Sequence, residues 1–406
     1  METGALIIFL LVYAGMILGN WPGLAIDRTG IALLGAIAFI LLQGMPLDQA
    51  VSYVDLSALA ILFSFMVISA QFYFSGFYTH LVGRFGKWKL SPSLLLLVVI
   101  LVAAGLSAVL LNDIVCLALT PLIIRWCLDK NLNPIPFLLG LACSANIGSS
   151  LTLVGNPQNV LIGQAVSIPF AQYMKFSVVP CLFGLLATWG MIHWQTRGRW
   201  VAHHAKAEFP TIPYQRWQSQ KGLILIGLLI LVFFFFDIPR DHASLIVAGL
   251  LLLSRRMASQ TMLSFIDWQL LVLFIGLFII NRAFLNTYQL DALLTHLQSY
   301  NIDLHSPVWI FVISSILSNI ISNVPAVMIL LPFVHTHFEG SLLALSSTLA
   351  GNMFIVGSIA NIIVFAQAST LGIKITWKKH LKIGLPLTIL TLFIAAGWLY
   401  FLARFF

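Results

Sequence analysis

The sequence predicts an all-α polytopic membrane protein with about ten transmembrane helices and two re-entrant helical hairpins, arranged in two inverted repeats with discontinuous helices at the binding site. Three observations predict this class. Hydrophobic residues make up 60% of the 406 residues and charged residues only 8%, and the mean hydropathy is +0.99. Apolar runs that approach the roughly 20 residues needed for one span recur along the chain. Two polar motifs recur, in the same order, in its two halves.

This composition excludes several classes of protein. A soluble domain carries charge on roughly a quarter of its residues, so we do not expect a soluble enzyme, a nucleic-acid-binding module or a disordered chain. We expect the lipid bilayer as the surroundings and no nucleic acid as a partner, although the net charge is +8. Membrane proteins accumulate Lys and Arg in their cytoplasmic loops, which accounts for that excess.

The basic residues also orient the chain. With the N- and C-termini both outside, 17 of the 21 Lys and Arg face the cytoplasm, whereas the opposite orientation reverses this bias. The polar segment 195–220 then forms a cytoplasmic linker. We therefore expect a multi-pass protein of a bacterial-type inner (plasma) membrane.

The linker divides the chain into two predicted repeats, residues 1–194 and 221–406. Each holds five spans and one hairpin, which lies at 92–128 in the first repeat and at 307–338 in the second. Because five is odd, the second repeat starts on the opposite side of the membrane from the first. Inverted repeats of this kind are typical of secondary transporters.

The repeat rests on two aligned pairs of segments. LSAVLLNDIVCLALTP at 106–121 aligns without gaps with LSNIISNVPAVMILLP at 317–332, at an offset of 211 residues. GNPQNVLI at 155–162 aligns with GSIANIIV at 357–364, at an offset of 202. The first pair predicts the tips of two hairpins, and the second pair predicts two broken helices.

Asp113 is the one acidic residue that we place in the middle of the membrane. An ionisable residue at that depth indicates function. Its carboxylate could exchange a proton, or it could help to bind Na⁺, a hard cation that prefers oxygen ligands. A structural role at the start of the following helix is the alternative, and the roles are compatible. The candidate Na⁺ ligands are Asn112, Asp113 and Asn323.

Gly155 and Pro157 predict a break inside a helix, because proline lacks a backbone donor and glycine permits unusual dihedral angles. A break in mid-membrane exposes N–H groups at one half-helix end and carbonyls at the other, which suit an anion and a cation respectively. Asn156 and Asn159 add neutral donors and acceptors. A packing kink is the alternative interpretation. The second break keeps this polar pattern without a proline, at Gly357, Ser358 and Asn361.

The sequence contains no nucleophile–base constellation, no Walker A motif and no His/Cys metal cluster. We therefore expect neither an enzyme nor an ATP-driven pump on this chain, and no cofactor beyond H⁺ or Na⁺ as a coupling ion. A channel or an integral membrane enzyme is a further alternative. The inverted repeat with its paired helix breaks disfavours a membrane enzyme, and a channel would show flux far above the rates of a carrier. Asn146 and Asn352 lead into the two breaks, and we interpret them as residues that form hydrogen bonds between helices.

Together these motifs resemble the ion transporter superfamily, which includes ArsB-type arsenite permeases, NhaD-type Na⁺/H⁺ antiporters, and citrate and divalent-anion/Na⁺ symporters. The segments LLNDIVCLALTP (110–121) and SNVPAVMILLP (322–332) resemble its hairpin tips. LVGNPQNVLIG (153–163) and IVGSIANIIVF (355–365) resemble its unwound helices. The resemblance covers nearly the whole chain, and the general pattern is most similar to the YbiR-like anion transporters.

The resemblance implies that hairpin tips and unwound helices enclose the substrate and the coupling ion. It also implies a homodimer formed through a scaffold domain, and an elevator-type motion of the remaining domain. The implied substrate- and ion-binding residues are Asn112, Asp113, Gly155, Asn156, Pro157, Asn159, Ser322, Asn323, Gly357, Ser358 and Asn361.

The chain departs from the dicarboxylate symporters at three places. Those proteins have Ser-Asn-Thr at both hairpin tips, where this chain has Leu111-Asn112-Asp113 and Ser322-Asn323-Val324. They have Thr-Pro-Pro in the first break, where this chain has Asn156-Pro157-Gln158. These departures favour the arsenite-permease and antiporter side over citrate or succinate transport.

The resulting functional prediction is a secondary active transporter that moves a small anion or oxyanion-like solute across the inner membrane, coupled to H⁺ or Na⁺. Two alternatives stay open, an Na⁺/H⁺ antiporter of the NhaD type and an arsenite/antimonite efflux permease.

Overall fold

A computed structural model describes residues 2–19, 21, 23–201, 212–287, 295–296 and 298–405 of the chain. The predicted linker 195–220 therefore lies partly outside the described residues. Its predicted bounds are too wide, because one helix continues to Thr196 and the next begins at Arg216. The described part is helical, as the sequence predicts. Its first half contains α1 (Glu2–Leu18), α2 (Arg28–Gln43), α3 (Leu47–Ser52), α4 (Leu56–Phe74), α5 (Phe77–Phe85), α6 (Pro92–Val109), α7 (Asn112–Asp129), α8 (Pro134–Ser149), α9 (Pro157–Ala165) and α10 (Phe170–Thr196).

The second half repeats this order of elements, although the described residues include no counterpart of α5. It contains α11 (Arg216–Phe235), α12 (Arg240–Leu252), α13 (Ser259–Ser264), α14 (Trp268–Leu285), α15 (Pro307–Ile321), α16 (Asn323–Leu330), α17 (His337–Ala350), α18 (Ile359–Thr370) and α19 (Trp377–Phe405). A 3₁₀ turn, Leu331–Phe333, follows α16, and another, Ile355–Gly357, precedes α18.

Six of the described helices are long and apolar enough to cross a membrane by length and composition, namely α4, α6, α10, α11, α14 and α19. The remaining apolar helices are shorter, because several are interrupted where polar residues stand in the sequence. The helices α8 and α9 are the two parts of one interrupted helix, and so are α17 and α18. Both interruptions coincide with the predicted breaks, so the all-α, multi-pass class with discontinuous helices is confirmed.

The predicted hairpins correspond to α6–α7 and α15–α16. Ser91 accepts a hydrogen bond from the Leu94 N–H and Pro92 opens the helix, which is the favoured place for proline. The first turn between arms is extended at Leu110 and Leu111. The second turn is made by Ser322 alone, with φ 76° and ψ 162°. That conformation is essentially restricted to glycine, so the second tip stores backbone strain.

The order of elements repeats with a regular offset before the hairpins. The helices α12, α13 and α14 begin 212 residues after α2, α3 and α4, respectively. The packing is crosswise, since α2 lies mainly against α14 and α12 mainly against α4. The first hairpin arms, α6 and α15, pack on α8 and α17, and α10 packs on α19. Reciprocal packing of this kind is expected of two related halves, whereas their opposite orientation in the membrane stays a prediction.

Candidate functional site

The two hairpin tips and the two helix breaks meet in one buried polar region. The Asn112 N–H, at the first tip, donates to the Gly155 carbonyl in the first break over 3.0 Å. Five asparagines of this region are each at most 5% exposed, namely Asn112, Asn156, Asn159, Asn323 and Asn361. The structure thus brings together the predicted residues of both halves.

The first break is built around two asparagines. Asn156 precedes α9, and its side-chain oxygen accepts the Asn159 N–H at 2.9 Å, while Pro157 takes the first helical position. The Asn159 amide nitrogen donates to the carbonyls of Thr152 (2.8 Å) and Ser149 (3.3 Å). These bonds satisfy carbonyls that the end of α8 leaves without a helical partner.

The second break repeats this arrangement. The Asn361 amide nitrogen donates to the carbonyls of Gly351 (2.9 Å) and Phe354 (3.2 Å). The three residues of this arrangement lie 202 positions after their counterparts in the first break: Asn361 after Asn159, Gly351 after Ser149 and Phe354 after Thr152. The alignment offset of the sequence is therefore also the offset of the hydrogen bonds.

Asn146, near the end of α8, connects the two halves. Its amide nitrogen donates to the side-chain oxygens of Asn352 (2.9 Å) and Asn361 (3.2 Å). Its oxygen accepts from the Ser358 hydroxyl (2.8 Å) and the Asn112 amide (3.2 Å). Both donors and both acceptor positions of the amide are thus used. The predicted interhelical role is correct, but this residue joins one tip and the opposite break, which the sequence did not indicate.

Thr348 holds the corresponding place in α17, 202 residues after Asn146. Its hydroxyl lies 3.3 Å from the Asn156 amide nitrogen and 3.2 Å from that of Gln158. It also lies 3.5 Å from the Asn159 side-chain oxygen. Each half therefore contributes one side chain that contacts the break of the other half, so the two breaks are held in register.

Asn323 ties the second hairpin tip to both breaks. In the amide orientation that satisfies its neighbours, its nitrogen donates to the carbonyls of Gly357 (2.6 Å) and Ser347 (3.2 Å). Its oxygen then accepts from the Gln158 amide at 3.2 Å. Among the described residues no hydrogen bond joins Asn323 to Asn112 or Asp113, so the three candidate Na⁺ ligands are not one hydrogen-bonded group.

Asp113 lies in the first turn of α7 and is only partly buried. No hydrogen bond to its carboxylate is found within the described residues. The neighbouring Asn112 side-chain oxygen is buried and likewise has no partner there. The N-terminal end of α7 favours negative charge. The first tip therefore presents oxygen atoms that are free to receive a proton or a cation.

Tyr173 and His380 are two site residues that sequence reasoning missed. The Tyr173 hydroxyl donates to the Ser150 carbonyl at 2.8 Å, and the His380 Nε2 lies 3.0 Å from the Asn352 carbonyl. Ser150 and Asn352 are again 202 residues apart. Since a carbonyl only accepts, His380 donates from Nε2. Tyr173 and His380 bind corresponding carbonyls with different side chains, so an alignment of the two halves does not pair them.

We expect His380→Gln to fold with nearly wild-type stability, because its amide nitrogen can donate the same bond without adding volume to a buried site. His380→Leu should lower the unfolding temperature by the loss of one buried hydrogen bond, about 1 kcal/mol. Thermal unfolding of both variants in detergent measures the difference. Equal stability of the two would contradict the assigned bond.

Most side chains of the site are neutral amides and hydroxyls. The exceptions are the His380 imidazole and the Asp113 carboxylate, which is the charged group among the predicted residues. The N-terminal ends of α9 and α18 add backbone N–H groups. Such a site can bind a small solute rich in oxygen through many neutral hydrogen bonds, without a Lys or Arg to neutralise a large negative charge.

Comparison with known proteins supports this description. The family profile described as "Citrate transporter" matches residues 8–341. The silicon efflux transporter LSI3 of Oryza sativa subsp. japonica is 28% identical, over 91% of each chain. The protein of Dictyostelium discoideum described as "Putative transporter arsB" is 24% identical, over 91% of this chain and 87% of that protein.

Among solved structures, the YdaH transporter of Alcanivorax borkumensis superposes with a TM-score of 0.59, covering 99% of this chain and 97% of that chain, at 14% sequence identity. This likeness concerns the fold alone. The profile match covers most of the sequence, and the relatives are transporters rather than enzymes. The chain therefore belongs to the citrate transporter family of membrane transporters, within the ArsB/NhaD-like ion transporter superfamily.

Proposed function

We propose that this protein is a secondary active transporter that moves a small oxyanion, or the uncharged hydroxylated acid of one, across the bacterial inner membrane. The observation that carries the proposal is the crosswise hydrogen bonding of two broken helices and two hairpin tips around Asn146 and Thr348. Paired half-helix ends in mid-membrane are a feature of secondary transporters.

The substrate class follows from the donors of the site. A dicarboxylate carries two full charges, and its binding in a buried site requires charged partners or many strong donors. The region around Asn146 offers amides, hydroxyls and helix N-termini instead. These groups fit a small solute with several oxygen atoms and little charge. One relative, named as a silicon efflux transporter, fits the same chemical class.

We propose H⁺ or Na⁺ as the coupling ion, with Asp113 as the residue that receives it. Support comes from the carboxylate in the first turn of α7 and from the unpartnered Asn112 oxygen beside it. A carboxylate with a neighbouring amide oxygen can exchange a proton or hold a hard cation.

The proposal includes the predicted topology. Both termini lie outside, the linker within 195–220 is cytoplasmic, and residues 1–194 and 221–406 are inverted repeats. The chain forms a homodimer, and an elevator-type motion carries the site across the membrane. The crosswise pairs α2–α14 and α4–α12 are the natural scaffold for such a motion, because each of these pairs packs mainly within itself and only α4 and α14 touch the second hairpin arms, α7 and α16.

An Na⁺/H⁺ antiporter of the NhaD type is the second candidate. It is favoured by the same carboxylate, since Na⁺ and H⁺ would compete for Asp113. An arsenite/antimonite efflux permease falls within the main proposal, because arsenous acid is a small hydroxylated acid.

Flux in proteoliposomes under an imposed pH gradient, with and without Na⁺, tests the proposal. Arsenite, silicic acid, inorganic anions and small carboxylates are screened while internal pH and solute are read together. We expect solute-dependent movement of H⁺ or Na⁺ with an uncharged acid or oxyanion. Proton movement triggered by Na⁺ alone would establish the antiporter, and coupled flux of citrate alone would overturn the substrate class.

A further inference from the structure

A basic cavity of about 570 Å³ lies away from the polar region, where the start of α8, the end of α10 and the start of α19 come together. Three cationic side chains line it: Arg199, Lys379 and Lys382. No acidic residue is among its lining residues. The wall therefore carries three positive charges without a neutralising partner in the lining.

A general excess of cytoplasmic Lys and Arg does not by itself produce such a cavity. The neighbouring Lys378 has the same charge, but its ammonium lies over the Trp377 ring, 5.8 Å from the centroid, and does not line the cavity. Lys379 and Lys382 therefore line the cavity, whereas the neighbouring Lys378 does not.

The cavity is held in shape by main-chain contacts. The Asn133 N–H donates to the Trp200 carbonyl at 2.8 Å, and Leu132 pairs with Val201 in an antiparallel bridge. These bonds fix the segment that carries Arg199 against the start of α8. The Gln195 amide donates to the Lys382 carbonyl at 2.8 Å, which joins α10 to α19. These bonds therefore hold in place the backbone segments that carry Arg199 and Lys382.

Part of the remaining lining is apolar and lies at a helix end. Ile135, Leu139 and Ile383 line the cavity beside the cations, and Trp194 at its rim is 65% exposed. Tryptophan at the end of a spanning helix is typical of the level of lipid headgroups. Basic pockets between spanning helices at this level suit anionic headgroups.

We propose that this cavity binds one anionic phospholipid, with its phosphodiester between Arg199, Lys379 and Lys382 and an acyl chain along Ile135, Leu139 and Ile383. Charge complementarity selects an anionic lipid, and the apolar lining selects a lipid over a free anion. The lipid bridges α8, α10 and α19, and so stabilises the contact between the two halves at this end.

The test compares the double variant Lys379→Gln/Lys382→Gln with Lys378→Gln as the control. Purified protein is titrated with phosphatidylglycerol or phosphatidylcholine in detergent, and retained lipid and unfolding temperature are measured. We expect phosphatidylglycerol to bind and to raise the unfolding temperature of the wild type and of Lys378→Gln. Its binding should be at least about tenfold weaker in the double variant.

Two results would overturn the proposal. An equal loss of binding in Lys378→Gln would show that surface charge in general attracts the lipid. A stabilisation by inorganic phosphate that equals that of phosphatidylglycerol would assign the cavity to a free anion.

A different observation, concerning two arginines, carries a second inference that rests on the proposed function. Arg240, at the start of α12, donates from its guanidinium to the Gly163 carbonyl at 3.3 Å and to the Ile168 carbonyl. These carbonyls belong to the turn that ends α9, which the Ile168 N–H closes on Gly163 at 3.2 Å. The arginine therefore clasps the end of a broken helix to the crosswise α4–α12 pair.

The corresponding parts of the other half exist but are not joined. Arg28 starts α2, 212 residues before Arg240. The turn that ends α18 has the same form, with the Ile373 N–H donating to the Ala368 carbonyl at 2.8 Å. The Nε of Arg28 is nevertheless buried without a partner among the described residues. We call each arginine, with the turn whose carbonyls it can bind, a clasp. The Arg240 clasp is closed, because its hydrogen bonds are formed, and the Arg28 clasp is open.

We propose that the two arginines are alternating clasps. When the site moves to the other side of the membrane, Arg240 releases the turn after α9 and Arg28 binds the carbonyls of Ala368 and Ile373. Related halves that exchange their conformations account for such asymmetry in a single state.

Disulfide formation between cysteines introduced at Thr29 and Lys374 reports closure of the Arg28 clasp. We expect Arg240→Gln to raise crosslinking and Arg28→Gln to lower it, each at least about fivefold, because each substitution removes charge-assisted hydrogen bonds. Arg282→Gln is the control and should change nothing. Shifts in the same direction, or none, would overturn the clasps. The readout needs no solute, so it is independent of which substrate is transported.

Discussion

Asp113→Asn should reduce ion-coupled flux to the level of protein-free vesicles while the protein folds and inserts normally. Asparagine keeps the size of the side chain and one oxygen, but it carries no charge and exchanges no proton. The carboxylate lies in the first turn of α7 and no described residue forms a hydrogen bond with it, so its removal leaves no protein donor unsatisfied. Transport is lost because the coupling ion loses its site, and the packing of the hairpin is unchanged.

The measurement is solute-driven proton or sodium movement in proteoliposomes, with gel filtration as the check on folding. Asp129→Asn is the matched control, since Asp129 ends the same helix and is exposed, 4.0 Å from Arg125. We expect this control to transport like the wild type, because exposed ion pairs contribute little. Coupled flux that persists in Asp113→Asn would remove Asp113 from the coupling mechanism.

The sequence predicted the repeated elements well because their signals are local. Asn159 and Asn361 bind carbonyls at the ends of the preceding helices α8 and α17, which belong to residues 7 and 10 positions earlier. A local bond of this kind recurs wherever the same short motif recurs. The starts of the hairpins agree for the same reason, because Pro92 and Pro307 open helices at positions that proline favours. The predicted end of the second hairpin, at 338, is wrong, since its second arm ends at Leu330 and α17 already begins at His337.

The contacts between halves could not be predicted, because they depend on how two distant segments are placed. Asn146 contacts Ser358 and Asn361, more than 200 residues away. Nothing in its neighbourhood distinguishes it from an ordinary interhelical asparagine. The sequence did not predict the short helices α3 and α13 for a different reason. Six residues carry too little periodicity to distinguish a helix from a loop.

Gly155→Ala should strongly destabilise the fold. Gly155 lies between the first hairpin tip and the end of α8, and its carbonyl accepts the Asn112 N–H. A Cβ there would stand 2.5 Å from the Ser107 carbonyl oxygen and closer still to that of Ser149. Both atoms belong to the backbone, so neither can rotate away. We expect a loss of about 3 kcal/mol in the free energy of unfolding, together with displacement of the tip that carries Asp113.

Substitutions at two further glycines serve as controls for Gly155→Ala. In the second break, a Cβ on Gly357 would meet the Asn319 side-chain oxygen and the Gly351 carbonyl at 3.1 Å, so Gly357→Ala should cost much less. A Cβ on Gly105, in the first hairpin arm, meets nothing within 4 Å, and Gly105→Ala should be neutral or slightly stabilising. Unfolding temperatures in detergent should therefore rank Gly105→Ala above Gly357→Ala, and Gly357→Ala above Gly155→Ala. A Gly155→Ala protein as stable as Gly105→Ala would mean that the first tip and the first break are not in contact, and the arrangement that places Asp113 beside the broken helix would be wrong.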